Sequence, residues 1–127
     1  QLRIAGDGPM RQAAEEVVRS LRLNNVAFLG FMNKDELIKE VSCSVCTVLP
    51  SEWYENNPRS VIESFALGKP VIGARIGGIP ELVKDGVTGV TFEVGNVRDL
   101  RSKINYMLTN HDKAVEMGKN ARKFAED

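Results

Sequence analysis

The chain has 127 residues, 17 Lys plus Arg against 17 Asp plus Glu, one His, two Cys and 43% apolar residues, the make-up of an ordinary globular domain. Balanced charge leaves no basic excess of the kind that displaces counterions from nucleic acid, so no nucleic-acid partner is expected. The longest apolar runs, such as Val26 to Leu29 and Val45 to Leu49, fall far short of the ~20 residues of a spanning helix, so no transmembrane segment is expected. Residues Gln1 to Gly6 show none of the basic, apolar and small-residue regions of a secretory signal, which predicts a cytoplasmic chain.

Leu2 to Ala5 is a short apolar run broken by Gly6-Asp7-Gly8-Pro9, after which Met10, Ala13, Ala14, Val17, Val18 and Leu21 keep helical spacing. Strand, glycine turn and helix follow in that order. The pattern repeats at Val26 to Gly30, and Asn33 with Glu36 three residues on predicts a capped helix carrying Leu37, Ile38 and Val41. Val45 to Pro50 reads as a third strand. A polar and aromatic loop covers Ser51 to Asn57, Pro58 suits the first turn of a helix with Val61, Ile62, Phe65 and Ala66, and Gly68 stops it. Pro70 to Ala74 is a fourth strand, Gly77-Gly78 a turn, Pro80 to Lys84 a short helix and Val90 to Val94 a fifth strand. Asn96 with Asp99 predicts a cap for a helix with Val97, Leu100, Ile104, Met107 and Leu108, and Asp112 a cap for a last one with Val115, Ala121, Phe124 and Ala125.

Short strands that are apolar throughout, alternating with amphipathic helices, call for a parallel sheet covered on both faces. The predicted fold is therefore α/β, doubly wound, with three α/β/α layers. Ligands of such folds bind beyond the carboxyl ends of the strands, which directs attention to Gly6 to Met10, Gly30 to Asn33, Ser51 to Arg59 and Arg75 to Glu81.

Cys43 and Cys46 form a C-x-x-C without a second ligand pair, and His111 is remote in sequence, so they are expected to be two buried or half-buried small side chains and His111 a residue of a helix-to-helix turn. No metal site is expected. Gly6-x-Gly8 can bring backbone N–H groups to a phosphate or be a tight turn and nothing more. Gly77-Gly78 leaves the same two readings open, and Glu81 is read as an acid favouring the positive end of a helix. The loop Pro50 to Arg59 gathers two acids, two aromatics, two amides and an arginine at one strand end, the composition of a site. With a helix starting at Pro58, Glu55 stands on its lip and Glu63 six residues in, about 9 Å along the axis, so two carboxylates could grip hydroxyls at the ends of one elongated ligand. The helix N-terminal amides between them suit a diphosphate. Its neighbours Val61, Ile62 and Phe65 place Glu63 on a mostly buried helix.

These residues, taken in order, resemble the retaining glycosyltransferases of group 1, which have the two-domain GT-B fold. The matching pieces are Leu2 to Pro9, Val26 to Phe31, Leu49-Pro50-Ser51, the pair Glu55 and Glu63 spaced as E-x7-E, Gly68 to Val71, Gly77 to Glu81 and Gly86-x-x-Gly89. The likeness is to the C-terminal donor-binding domain of that family and covers essentially the whole chain. It implies a site for a nucleotide-diphosphate sugar of UDP or GDP type: Glu63 on the ribose hydroxyls, Glu55 on those of the transferred sugar as the catalytic-site carboxylate, and amides at Asn56 to Ser60, including Asn57 and Arg59, on sugar and diphosphate. Gly30 and Phe31 would border the base, while Gly6, Gly8, Gly77 and Gly78 would line the cleft. It also implies transfer without metal or other cofactor, by same-face attack in which the leaving phosphate helps to take the acceptor's proton, with Glu55 positioning rather than attacking.

The chain departs from the family at Asn56-Asn57-Pro58-Arg59, where many relatives have Gly-Phe-Gly between the two acids; Pro58 removes one backbone donor, and Arg59 either meets a phosphate or is solvated. The family's preceding strand, the Arg and Lys that clamp the diphosphate and the acceptor domain do not occur in it. The resemblance therefore implies an incomplete donor domain, inactive alone, whose bare strand edges invite self-association and whose parent can be peripheral at a membrane. Two other readings stand beside the hexosyltransferase one: a non-catalytic nucleotide or sugar-phosphate binding module, and another GT-B reaction such as epimerisation.

Overall fold

The computed structural model describes residues 1–127. Strand and helix alternate as the apolar spacing predicts: β1 (Leu2–Ala5), α1 (Arg11–Ser20), β2 (Val26–Gly30), α2 (Lys34–Ser42), β3 (Thr47–Leu49), α3 (Arg59–Ala66), β4 (Val71–Ala74), α4 (Ile79–Leu82), β5 (Gly89–Phe92), α5 (Val97–Thr109) and α6 (His111–Glu126). All strand pairs are parallel. The five strands form two sheets, β1-β2 and β3-β4-β5, and the chain divides into two compact units, Gln1–Lys39 and Glu40–Asp127, with the boundary inside α2.

In the first unit β1 pairs with β2 in the register Leu2 to Val26 through Ile4 to Phe28, with an irregularity before Ala5. Every residue of β1 is exposed, and all fully buried apolar side chains of the molecule lie in the second unit. There β4 is buried along its whole length, because its alternating side chains meet helices on both faces. Ile72 and Ala74 pack with Val90, Phe92, Met107, Ala114 and Met117, while Val71 joins Val61, Phe65, Ile79, Val83 and Ala121 on the other side. The second unit is thus a three-layer α/β/α sandwich, as expected of a doubly wound α/β chain. Phe65 meets Phe124 edge to face, 5.9 Å between ring centres, tying α3 to α6.

Local signals set most element ends. The N–H of Asn33 donates to Glu36 and the N–H of Glu36 to the Asn33 side chain, closing the expected capping box of α2. Asn96 accepts from the N–H of Asp99 and caps α5. Gly68, at φ +69°, ends α3: its own N–H donates to Phe65 O and that of Lys69 to Ser64 O.

Several boundaries differ from the sequence reading. Pro58 lies outside α3, because its ψ of 113° is extended; it caps the helix and Arg59 begins it. Asp112 is not a cap but a first-turn residue of α6, and Asn110 sits between the last two helices with its side chain donating back to Tyr106 O. β3, α4 and β5 stop short of Pro50, Lys84 and Val94. Cys43 is exposed rather than buried, because it lies past the end of α2, while Cys46 is half-buried and burial pushes its thiol up to about 11.

Candidate functional site

Four of the residues singled out from sequence lie in the first unit. Gly6, at φ +114°, follows β1 and donates its N–H to Gly30 O at 2.7 Å, joining the two strand ends. The N–H of Gly8 donates to the Asp7 carboxylate at 2.8 Å, so this turn already holds an anion of its own. Arg11 on α1 reaches back to Asp7 at 3.7 Å and hydrogen-bonds Glu15 at 2.8 Å. Phe31 is 85% exposed directly after β2.

The remaining residues lie in the second unit, on the loops that leave the carboxyl ends of β3 and β4. The Ser51 hydroxyl organises the first loop: the Trp53 N–H donates to it at 3.4 Å, and it lies 3.3 Å from Trp53 O and 3.1 Å from Glu55 Oε1. This short turn shows Trp53 and Tyr54 to solvent and folds Glu55 back into a half-buried position.

The second loop receives the first. The N–H of Gly78 donates to Glu55 O at 2.7 Å. A Cβ on Gly77 would lie 2.5 Å from Glu55 O, and one on Gly78 only 1.9 Å from Asn56 O. Backbone crosses backbone here, which no side chain would permit. The glycine pair therefore seats the Glu55-Asn56 segment, and the Gly78 donor is used within the protein rather than offered to a ligand.

Beyond Pro58, α3 turns its buried side, Val61, Ser64 and Phe65, to the core. Ser64 accepts from the Thr47 hydroxyl at 2.9 Å and donates to Ser60 O at 2.8 Å, fixing the first turn of α3 against β3. Arg59, Ser60 and Glu63 are on the exposed side. Glu63 is therefore a solvent-facing acid on a half-buried helix, and with α3 starting at Arg59 it lies four residues, about 6 Å, along the axis from the first helical residue. Arg59 and Glu63, one turn apart, form no ion pair with each other. The backbone N–H groups of Asn57, Arg59 and Ser60 make no hydrogen bond within the chain. Unsatisfied donors at the positive end of a helix, flanked by a carboxylate on each side and a free guanidinium, suit an anionic ligand that carries hydroxyl groups at both ends.

Arg75 and Glu81 complete the neighbourhood of the second loop. The Arg75 side chain donates to the Thr91 hydroxyl at 3.2 Å and stands 3.6 Å from Asp99, tying the end of β4 to β5 and α5. Glu81 is exposed in the first turn of α4, the position that favours an acid. Two shallow grooves of the second unit are lined by other residues: one of about 480 Å³ along Glu93 to Arg98, and one of about 500 Å³ whose walls include Cys43, Lys69, His111 and Lys119. Sequence singles out the acids, the amides and the glycine pair. It missed Ser51 and Ser64 as the groups that hold them, since both bonds form only after the loops have folded.

The family described as glycosyl transferases group 1 matches residues 1–124. The chain is 33% identical over 124 residues to sulfoquinovosyl transferase SQD2 of Arabidopsis thaliana, covering 95% of this chain and 24% of that protein. It is 32% identical over 123 residues to N-acetyl-alpha-D-glucosaminyl L-malate synthase of Bacillus anthracis, covering 96% and 32%. The crystal structure of Anabaena Alr3699/HepE in complex with UDP-glucose superposes with a TM-score of 0.88 at 28% identity, covering 98% of this chain and 35% of that one. The chain thus spans about a quarter to a third of the length of these relatives.

Proposed function

Because this chain belongs to the glycosyl transferases of group 1, we propose that it is the donor-binding part of a longer enzyme that takes a nucleoside diphosphate sugar and transfers the sugar, a hexose-type unit, to an acceptor with retention of anomeric configuration. The observation that carries this reading is the segment from Ser51 to Glu63: a carboxylate fixed on the loop, a second on the exposed side of α3, and unsatisfied helix N-terminal amides between them. UDP is the first nucleotide to consider, since the similar Anabaena structure is a complex with UDP-glucose.

Each residue then has a task set by its chemistry. Glu55 accepts hydrogen bonds from hydroxyls of the transferred sugar and Glu63 from those of the ribose, because a carboxylate offers several strong acceptor sites. The amides of Asn57, Arg59 and Ser60 and the Arg59 guanidinium meet the diphosphate, whose negative charge grows as the sugar leaves. The leaving phosphate takes the acceptor's proton on the face from which it departs. Glu55 orients the sugar for that event and forms no bond to it. The Asn56 side chain, exposed beside Glu55, is within this donor surface. The acceptor is held by the remaining length of the enzyme, so the present chain binds donor and does not turn it over.

The longer protein bearing Glu55→Gln tests the reading. Transfer from a UDP-, GDP- or ADP-linked sugar should fall about a hundredfold, as expected when a reacting group loses its alignment, with nucleotide binding kept. A protein that binds the nucleotide but transfers and hydrolyses nothing is a binding module, and the enzymatic reading fails. Transfer should also continue undiminished in excess EDTA, since helix amides and Arg59 carry the positive charge; loss of activity that a divalent ion restores would overturn that part.

A further inference from the structure

We infer that Ser51 is a positioning residue for Glu55, an inference that rests on the donor-site reading above. Glu55 is held at two points. Its backbone carbonyl accepts from Gly78 at 2.7 Å, and its Oε1 accepts from the Ser51 hydroxyl, 3.1 Å away. No other hydrogen bond within the chain reaches this carboxylate, so the hydroxyl is its one directional tether and Oε2 is left for a ligand.

The Ser51 hydroxyl has one proton and three neighbours. The Trp53 N–H donates to its oxygen, and Trp53 O and Glu55 Oε1 compete for its proton. The carboxylate is the closer and, being charged, the stronger acceptor, so the proton goes there. The residue itself is fixed from behind: Pro50 precedes it with a restricted φ, and the turn that the Trp53 N–H makes onto Ser51 sets the reach across to position 55. A side chain without a hydroxyl at position 51 would leave the Glu55 carbonyl in its glycine seat and release the carboxylate together with the Trp53 N–H. The defect is then one of aim at the transferred sugar, with the nucleotide contacts of Glu63 and the α3 amides untouched.

The test is kinetic, in the longer enzyme, with Ser51→Ala, Ser51→Thr and Glu55→Gln side by side and UDP binding followed by calorimetry. Ser51→Ala should lower kcat about tenfold, the effect of losing one hydrogen bond to a charged group, while the UDP dissociation constant stays within about twofold of the parent value. Ser51→Thr, which keeps the hydroxyl, should recover at least half of the lost rate. Three results would overturn the inference: an unchanged kcat in Ser51→Ala, a parallel loss of UDP binding that marks a folding defect, or a threonine variant as slow as the alanine one. If Glu55→Gln is slow while Ser51→Ala is not, only the role of Ser51 fails; if the parent enzyme has no transfer to lose, the donor-site reading fails first and this inference with it.

Discussion

At the scale of single residues, the tightest constraint in the molecule is the crossing of Glu55-Asn56 over Gly77-Gly78. A methyl group on Gly78 would overlap Asn56 O, and the obstacle is backbone rather than a mobile side-chain end. Gly78→Ala should therefore lower stability by about 1–3 kcal/mol, the usual cost of overpacking, and lift the Ser51 to Asn57 loop from its seat. Thermal melting reads the first effect and nucleotide titration the second; an unchanged melt would contradict the crossing. The cysteines give a second, chemical check. Cys43 is exposed, whereas the Cys46 thiol stays protonated up to about 11, so alkylation at pH 8 should label Cys43 and spare Cys46. The sign of the linkage follows from the same shift: between the ordinary value of 9.0 and about 11 the unfolded chain loses this proton before the folded one, so stability falls as pH rises through that window and is unaffected by this group below it. Labelling of both thiols at equal rates would contradict the burial of Cys46.

At the scale of elements, α3 shows what sequence can and cannot specify. Its stop is local: Gly68 takes the left-handed conformation that a non-glycine residue enters at a cost of about 1 kcal/mol, so Gly68→Ala should destabilise by about that amount in a denaturant titration. Its buried side is local only in part: apolar spacing marks Val61 and Phe65, but Ser64 is buried through its hydrogen bonds while Ala66 is exposed. Its start is not, because Pro58 is equally at home in a first turn or just before it, and only the extended ψ decides. The same distinction explains the last helices. Sequence pointed to Asp112 as the cap of α6, whereas the helix starts at His111 and Asn110 joins it to α5. The alternation of strands and helices along the chain was legible from apolar runs and glycine turns, but the division of the strands into two sheets was not. Strand length was not, since Pro50 and Val94 are apolar yet lie past the last ladder partners of β3 and β5.

For the whole molecule, burial is unevenly distributed. The second unit contains every fully buried apolar side chain, each contributing about 1.5–3 kcal/mol when as large as Phe65 or Ile72, and the first unit contains none. Amides of β4 should accordingly show the slowest hydrogen exchange and those of β1 and β2 exchange far sooner; equal protection of the two sheets would contradict the division. The site follows the same logic of near and far. Glu55 and Glu63 were visible because they sit eight apart in one loop and helix, and the amides because a helix start is a local event. The Gly78 seat joins positions 23 residues apart that only the folded loops bring together, and the Ser51 bond, though short in sequence, depends on the shape of an irregular turn that no periodicity marks. The central claim, a nucleoside diphosphate on the α3 N-terminus between two carboxylates, is tested most directly by calorimetric titration of UDP, GDP and ADP into the longer protein and its Glu63→Ala variant. The account predicts that one of the three binds and that the variant weakens it at least about tenfold, the effect of losing a charged hydrogen-bond acceptor. Absence of binding by all three, or binding indifferent to Glu63, would contradict it.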